Sequence, residues 1–322
     1  MRFGTIPEYQ PGIRTCPQCG DNLVEDESAK DEPAYNPDDG AANRLRGRKG
    51  FAKRWFRRAP FLDVDTAGWI IDTYSWFLTH FGEEQSSAEM VLIEPSEEFF
   101  PFSLSRDHDD VRAVFEAVRS YAGMDTWPCS LEPQGQPLQG RITPGIVAVS
   151  ESPDPLGTFS VPGKWEDGAK ITYSPALASN PVQLVATFAH ELAHYLLLTA
   201  EDPPPGGEAL EEPATDLGSV FLGFGIFACN AAFSFRQYTD GDWIGWEHGG
   251  MGYLGEEELS FALALFILTH DIDPGPATKH LDANPRGFLS YALRQLGHAE
   301  DEIVRLRSLV GGSCGSQQAA PA

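Results

Sequence analysis

The chain has 322 residues, 42% hydrophobic and 11% aromatic, with 47 acidic against 23 basic side chains and a formal charge of −24. That length and apolar share are enough for a sizeable core and exclude a wholly disordered or fibrous protein. The acidic excess repels phosphate backbones, so the body of the protein is not expected to bind nucleic acid. Five cysteines, Cys16 and Cys19 close together and the other three scattered, do not make a disulfide scaffold, and the first residues, Met1-Arg2-Phe3-Gly4-Thr5, lack the apolar stretch of a secretory signal. A reducing, cytoplasmic setting is the expectation.

Residues 1–60 read as a flexible N-terminal extension rich in Pro, Gly and charge. It carries Cys16-Pro17-Gln18-Cys19, half of a four-ligand zinc knuckle with no second Cys-x-x-Cys to complete it. It also carries an acid-free basic window: Arg44, Arg46, Arg48, Lys49, Lys53, Arg54, Arg57 and Arg58, eight of the 23 basic residues. With Phe51, Trp55 and Phe56 this window suits either an anionic surface or the acidic body of its own chain. The arm is where a partner contact is expected.

Residues 61–126 read as helix, strand, helix. Asp65 is placed to cap a helix bearing Trp69, Ile70, Thr73, Trp76, Phe77 and His80 on one face, ending near Gly82. The run 90–93 reads as a short buried strand. Val111, Val114, Phe115, Val118 and Tyr121 then give a second helix from about Asp107, stopped by Gly123. From 127 to 174, Pro and Gly break the chain into β-prone pieces such as 146–149 and 171–173, which predicts a small sheet.

The strongest helix signal follows. Asn180 is a good N-cap, Pro181 suits the first helical position, and 182–198 contain no breaker. After a Pro/Gly-rich loop at 202–207, a helix is expected near Pro213, with two more at 256–268 and 285–296. The uncharged run 217–235 is long enough to cross a bilayer, yet Gly218, Ser219, Gly223, Gly225, Asn230 and Ser234 interrupt it, and no strongly basic flank orients it. A buried core helix is expected there, without a membrane span. Residues 311–322 read as a disordered tail. The order of elements is α+β.

The capped helix holds His190-Glu191-Leu192-Ala193-His194. Side chains four apart lie one above the other, so both imidazoles can face one ion, and neutral imidazole is a good zinc ligand. Glu191, beside the first ligand, can reach the open position and take a proton from an activated water. A catalytic zinc needs a third protein ligand. Glu212, 22 residues after His190 and across the reversing loop, supplies it, with Glu211 as the alternative. Asp216, one turn on from Glu212, can accept the second ring N–H of a ligating histidine.

His190-Glu191-Leu192-Ala193-His194 with Glu212 and Asp216 resembles the gluzincin branch of zinc metallopeptidases, and the following stretch Thr215-Asp216-Leu217 with 221–225 resembles uncharacterised bacterial zincin-like proteins. The resemblance covers about 30 residues. It implies a zincin-like α+β fold for 127–310: a small sheet, an active-site helix and a helical C-terminal half. It also implies a Zn²⁺ cofactor held by His190, His194 and Glu212, with Glu191 as general base and Asp216 orienting a ligand. The substrate class is peptide or protein. The family stabilises its oxyanion with His and Tyr side chains, and His248 and Tyr253, in a Gly-rich stretch, are the candidates. The alternative is a non-catalytic, zinc-stabilised binding module, which a closed fourth coordination position would mark. A membrane-embedded protease is a third reading, marked by a need for detergent.

Overall fold

The computed structural model describes residues 62–86, 90–101, 107–134, 141–143, 146–147, 156–161, 168–238 and 254–310. Cys16, Cys19 and the basic window, the stretch holding His248 and Tyr253, and the tail 311–322 lie outside the described residues.

Helix α1 spans Val64–Ser86. Its cap is Asp63, not Asp65: Asp63 Oδ1 accepts the N–H groups of Asp65 at 3.0 Å and Thr66 at 2.9 Å. A capping residue stands just before the first helical position, as Asp63 does, whereas Asp65 already lies inside the first turn. The helix also continues past Gly82. Helix α2, His108–Tyr121, is capped by Asp107, buries Val111, Val114, Phe115 and Val118, and gives way to Gly123 at φ 71°.

The expected strand at 90–93 joins no ladder among the described residues. Leu92 and Ile93 are buried instead, and the Ile93 N–H donates to the Gly223 carbonyl at 3.0 Å. An apolar run can be buried against a helix junction as well as in a sheet, and composition does not distinguish the two.

Strands β1 (Cys129–Pro133), β2 (Arg141–Thr143), β3 (Ile146–Val147), β4 (Gly157–Ser160) and β5 (Ala169–Tyr173) form two small sheets. One has the order β1-β5-β4, with β1 parallel and β4 antiparallel to β5; the other pairs β2 with β3. In the first, Thr158 faces Thr172 and Phe159 faces Ile171, which leaves β4 at the edge among the described strands.

Helix α3, Pro181–Leu198, begins as its sequence predicts: the Asn180 side chain accepts the Gln183 N–H and Pro181 takes the first position. Every residue from 183 to 197 is buried. A 3-10 turn, Gly207–Leu210, leads into α4, Glu211–Ser219. A π-helical turn, Val220–Phe224, broken at Gly223 with φ 96°, then joins α4 to α5, Gly225–Tyr238. This is the region apolar enough to cross a membrane by length and composition, and 94% of its most apolar window is buried inside the protein.

Helices α6 (Glu256–Thr269), α7 (Gly275–His280), α8 (Ala283–Leu296) and α9 (Glu300–Val310) complete the chain. Helices α7 and α9 exceed the sequence expectation. The first is six residues long, and the second presents a narrow apolar face of Ile303 and Leu306. Buried Glu302 holds Arg305, whose Nη1 donates to Ser75 Oγ at 3.0 Å and ties α9 to α1. One apolar core runs from Leu62 to Leu306 and draws on α1, α2, the sheet and α3 to α9. The observed class is mixed α+β, mainly helical.

Candidate metal centre

The site forms where α4 crosses α3. A Cβ on Gly218 would lie 2.9 Å from Ala193 Cβ and 3.1 Å from the Phe77 ring, so only glycine lets the two helices approach this closely. That approach places Glu212, Thr215 and Asp216, on successive turns of α4, against His190 and His194 of α3.

His190, His194 and Glu212 are 5%, 7% and 8% exposed. The two Nε2 atoms are 3.1 Å apart, Glu212 Oε2 is 3.4 Å from His190 Nε2, and Glu212 Oε1 is 3.7 Å from His194 Nε2. Donors bound about 2.0–2.1 Å from a shared tetrahedral centre would be separated by about 3.3–3.4 Å, the middle of this range. The cluster is the group of His, Cys, Asp and Glu side chains among the described residues able to hold a metal ion. Glu212 joins it; Glu211 instead gives its carbonyl to Thr215.

Proton accounting makes the same point. Asp216 Oδ1 lies 3.0 Å from His190 Nδ1, and Oδ2 accepts the Leu254 N–H at 2.8 Å. A carboxylate there accepts a hydrogen bond from His190 Nδ1–H, which keeps the proton on Nδ1 and turns the Nε2 lone pair toward Glu212. Thr215 Oγ1 donates to the Glu211 carbonyl at 2.9 Å, so toward His194 Nδ1, 3.3 Å away, it acts as acceptor. That places the second Nε2 lone pair in the same space. Two nitrogen acceptors and a carboxylate thus converge, which is the chemistry of a divalent cation site.

Glu191 is 5% exposed, and its Oε2 is buried with no hydrogen-bond partner among the described residues. Burial drives its pKa up to about 8, helped by Glu212 and opposed by His190. Burial also disfavours a charged His190, but the hydrogen-bonding carboxylates of Asp216 and Glu212 outweigh it and hold that pKa well above the usual value. His194, with burial dominant, falls to about 4. Burial raises Asp216 as well, against the pull of His190 and the Leu254 N–H. Beyond the Nδ1 proton of each ring, the one further proton the pair takes up without a metal is held on His190, and a bound cation would displace it.

The sheet closes the other side. A Cβ on Gly157 would meet Thr187 Cγ2 at 2.5 Å and Glu191 Oε1 at 2.7 Å, so glycine lets edge strand β4 lie directly on α3. Two residues on, the Phe159 ring stacks on His194 at 6.1 Å and 14°. Sequence reasoning assigned no role to Thr215, Gly157 or Phe159. Thr215 lies on the same α4 face as Glu212 and was open to the same helical arithmetic, whereas nothing local links 157 or 159 to α3. Cys129 sits on β1 with burial pushing its thiol pKa up to about 11.

The chain matches no protein-family model, no curated protein and no solved structure.

Proposed function

We propose that the protein is a zinc-dependent peptidase of gluzincin type, with His190, His194 and Glu212 as metal ligands. The observation that carries this reading is the convergence of two imidazole lone pairs and one carboxylate, each histidine oriented from behind by Asp216 or Thr215. When bound, zinc supplies Lewis acidity toward water and a scissile carbonyl. Glu191 then serves as the proton carrier. A carboxyl group poised near neutral pH accepts a proton from water and returns it to the leaving amine. Its Oε2 suits that role, since no hydrogen bond from the described residues holds it. Asp216 keeps His190 in the ligating tautomer, and Thr215 does the same for His194.

The edge strand β4 supports a peptide substrate. Its outer backbone groups are unpaired among the described strands, and β4 itself packs on Glu191 and His194 through Gly157 and Phe159, so an extended chain could pair beside the cluster. One observation favours the non-catalytic, zinc-stabilised module: the whole cluster is at most 8% exposed, as a structural site would be.

Zinc content and hydrolysis of a mixed peptide pool, measured on wild type and Glu191→Gln, separate these readings. Both proteins are expected to hold zinc equally, while the variant hydrolyses roughly 10²–10⁴-fold more slowly. Equal hydrolysis would remove Glu191 from the mechanism. Zinc binding without hydrolysis in wild type would favour the binding module.

A further inference from the structure

Two turns before His190, the N-terminal end of α3 opens on a cavity of about 680 Å³, within the range of small-ligand sites. Among the described residues its wall includes Gln183 from α3, Asn230 from α5, Glu256 at the start of α6, and His280, Asp282 and Asn284 around α8. No lysine or arginine is among these lining residues.

Gln183 is 8% exposed, and its amide orientation is set by a reciprocal clasp. Asn180 Oδ1 accepts the Gln183 backbone N–H, and Asn180 Nδ2 donates to Gln183 Oε1, both at 3.3 Å. Gln183 Nε2 is left buried with no hydrogen-bond partner among the described residues. A buried donor without an acceptor is destabilising, which is reason to look for the group that satisfies it.

The acidic groups stand on a fixed backbone. Asn230 donates to the His280 carbonyl and accepts the Asp282 N–H, both at 2.9 Å, which fixes the backbone under Asp282. Asp282 stands at the N-cap of α8 but makes no capping bond with its side chain. Asn284 Nδ2 reaches Glu256 Oε2 at 3.4 Å, and Glu94 pairs with His280 at 3.2 Å.

Three helix N-termini, those of α3, α6 and α8, meet at this wall, each equivalent to about half a positive charge. The full charges of Glu256 and Asp282 oppose them, so the cavity suits neither a bare anion nor a bare cation. It suits a ligand with an ammonium for the carboxylates and a carbonyl oxygen for Gln183 and the helix ends. We propose that this cavity binds the free amino end of a short peptide, with its ammonium on Asp282 and Glu256 and its first carbonyl on Gln183. The proposal goes beyond the metallopeptidase reading and stands without it, because Gln183 and His190 are separated by seven residues, about 10 Å of helix.

The test is isothermal titration of the full-length chain with trialanine amide and with its N-acetylated form. The free-amine peptide is expected to bind saturably, tighter than about 1 mM. Acetylation should weaken it at least about tenfold, and the double variant Asp282→Asn/Glu256→Gln should do the same. Both substitutions keep size and one acceptor oxygen while removing the charge, and a melting curve checks the fold. Absence of saturable binding, equal binding of the acetylated peptide, or unchanged binding in a folded double variant would each overturn the proposal. Because the acetylated arm uses the wild-type protein, the test holds even if the variant does not fold.

Discussion

Helices α3 and α6 are both core helices, yet they fill their buried positions differently. In α6, nine successive residues from Leu259 to Ile267 are buried, and Ser260 is the one polar side chain among them, donating to the Pro285 carbonyl. In α3 the buried run includes His190, Glu191 and His194. Apolar groups need only be covered, whereas ionisable groups taken from water need named partners. Those partners come from α4: Glu212, Thr215 and Asp216, carried in by the Gly218 contact. Helix α6 thus contributes stability, whereas α3 gives part of it up to bury ionisable groups, which the proposed metal site would use.

The largest effect should come from breaking the apolar side of this contrast. Phe266, fully buried in α6, is expected to lose about 3–5 kcal/mol on Phe266→Ala, seen as a lower denaturation midpoint with zinc stoichiometry unchanged in the folded fraction. Loss of zinc with the fold intact would show that the two helices are not separable.

The polar side should respond in the opposite direction. Glu191 has a folded-state pKa of about 8 against an ordinary 4.5, so the fold binds its proton more tightly than the unfolded chain does. In chelator-treated protein its contribution is fully present below about pH 4.5 and declines until the pH passes 8. Glu191→Met should therefore stabilise the chelated protein by roughly 3 kcal/mol at pH 7, and by little at pH 4. Chemical denaturation at the two pH values checks the sign. A variant less stable than wild type at pH 7 would contradict it.

A smaller effect isolates the support from α4. Thr215→Val keeps volume and removes the acceptor for His194 Nδ1. Zinc affinity should fall roughly 10–100-fold by competition with a chromophoric chelator. Thr215→Ser should restore most of it. Affinity unchanged in the valine variant would mean that Thr215 does not orient the imidazole.

Much of this arrangement was legible in the chain. The Asn180 cap, the Pro181 start and the four-residue interval between His190 and His194 depend on hydrogen bonds and helical periodicity within a few residues, so pattern alone reveals them. The same periodicity put Glu212 and Asp216 one turn apart. It was less informative for 90–93, where an apolar run fits a strand or a packed extended segment equally well. The six-residue α7 and the narrow face of α9 were too weak to read.

What the sequence determined by itself was the set of donors and their spacing along each helix, because those are properties of one segment. Tertiary structure decided which segments meet: Glu212 in place of Glu211, Thr215 behind His194, and β4 against Glu191 through Gly157. Those choices depend on how closely distant backbones can approach, and close approach is set by a missing side chain on one partner and the shape of the other, which no local pattern encodes.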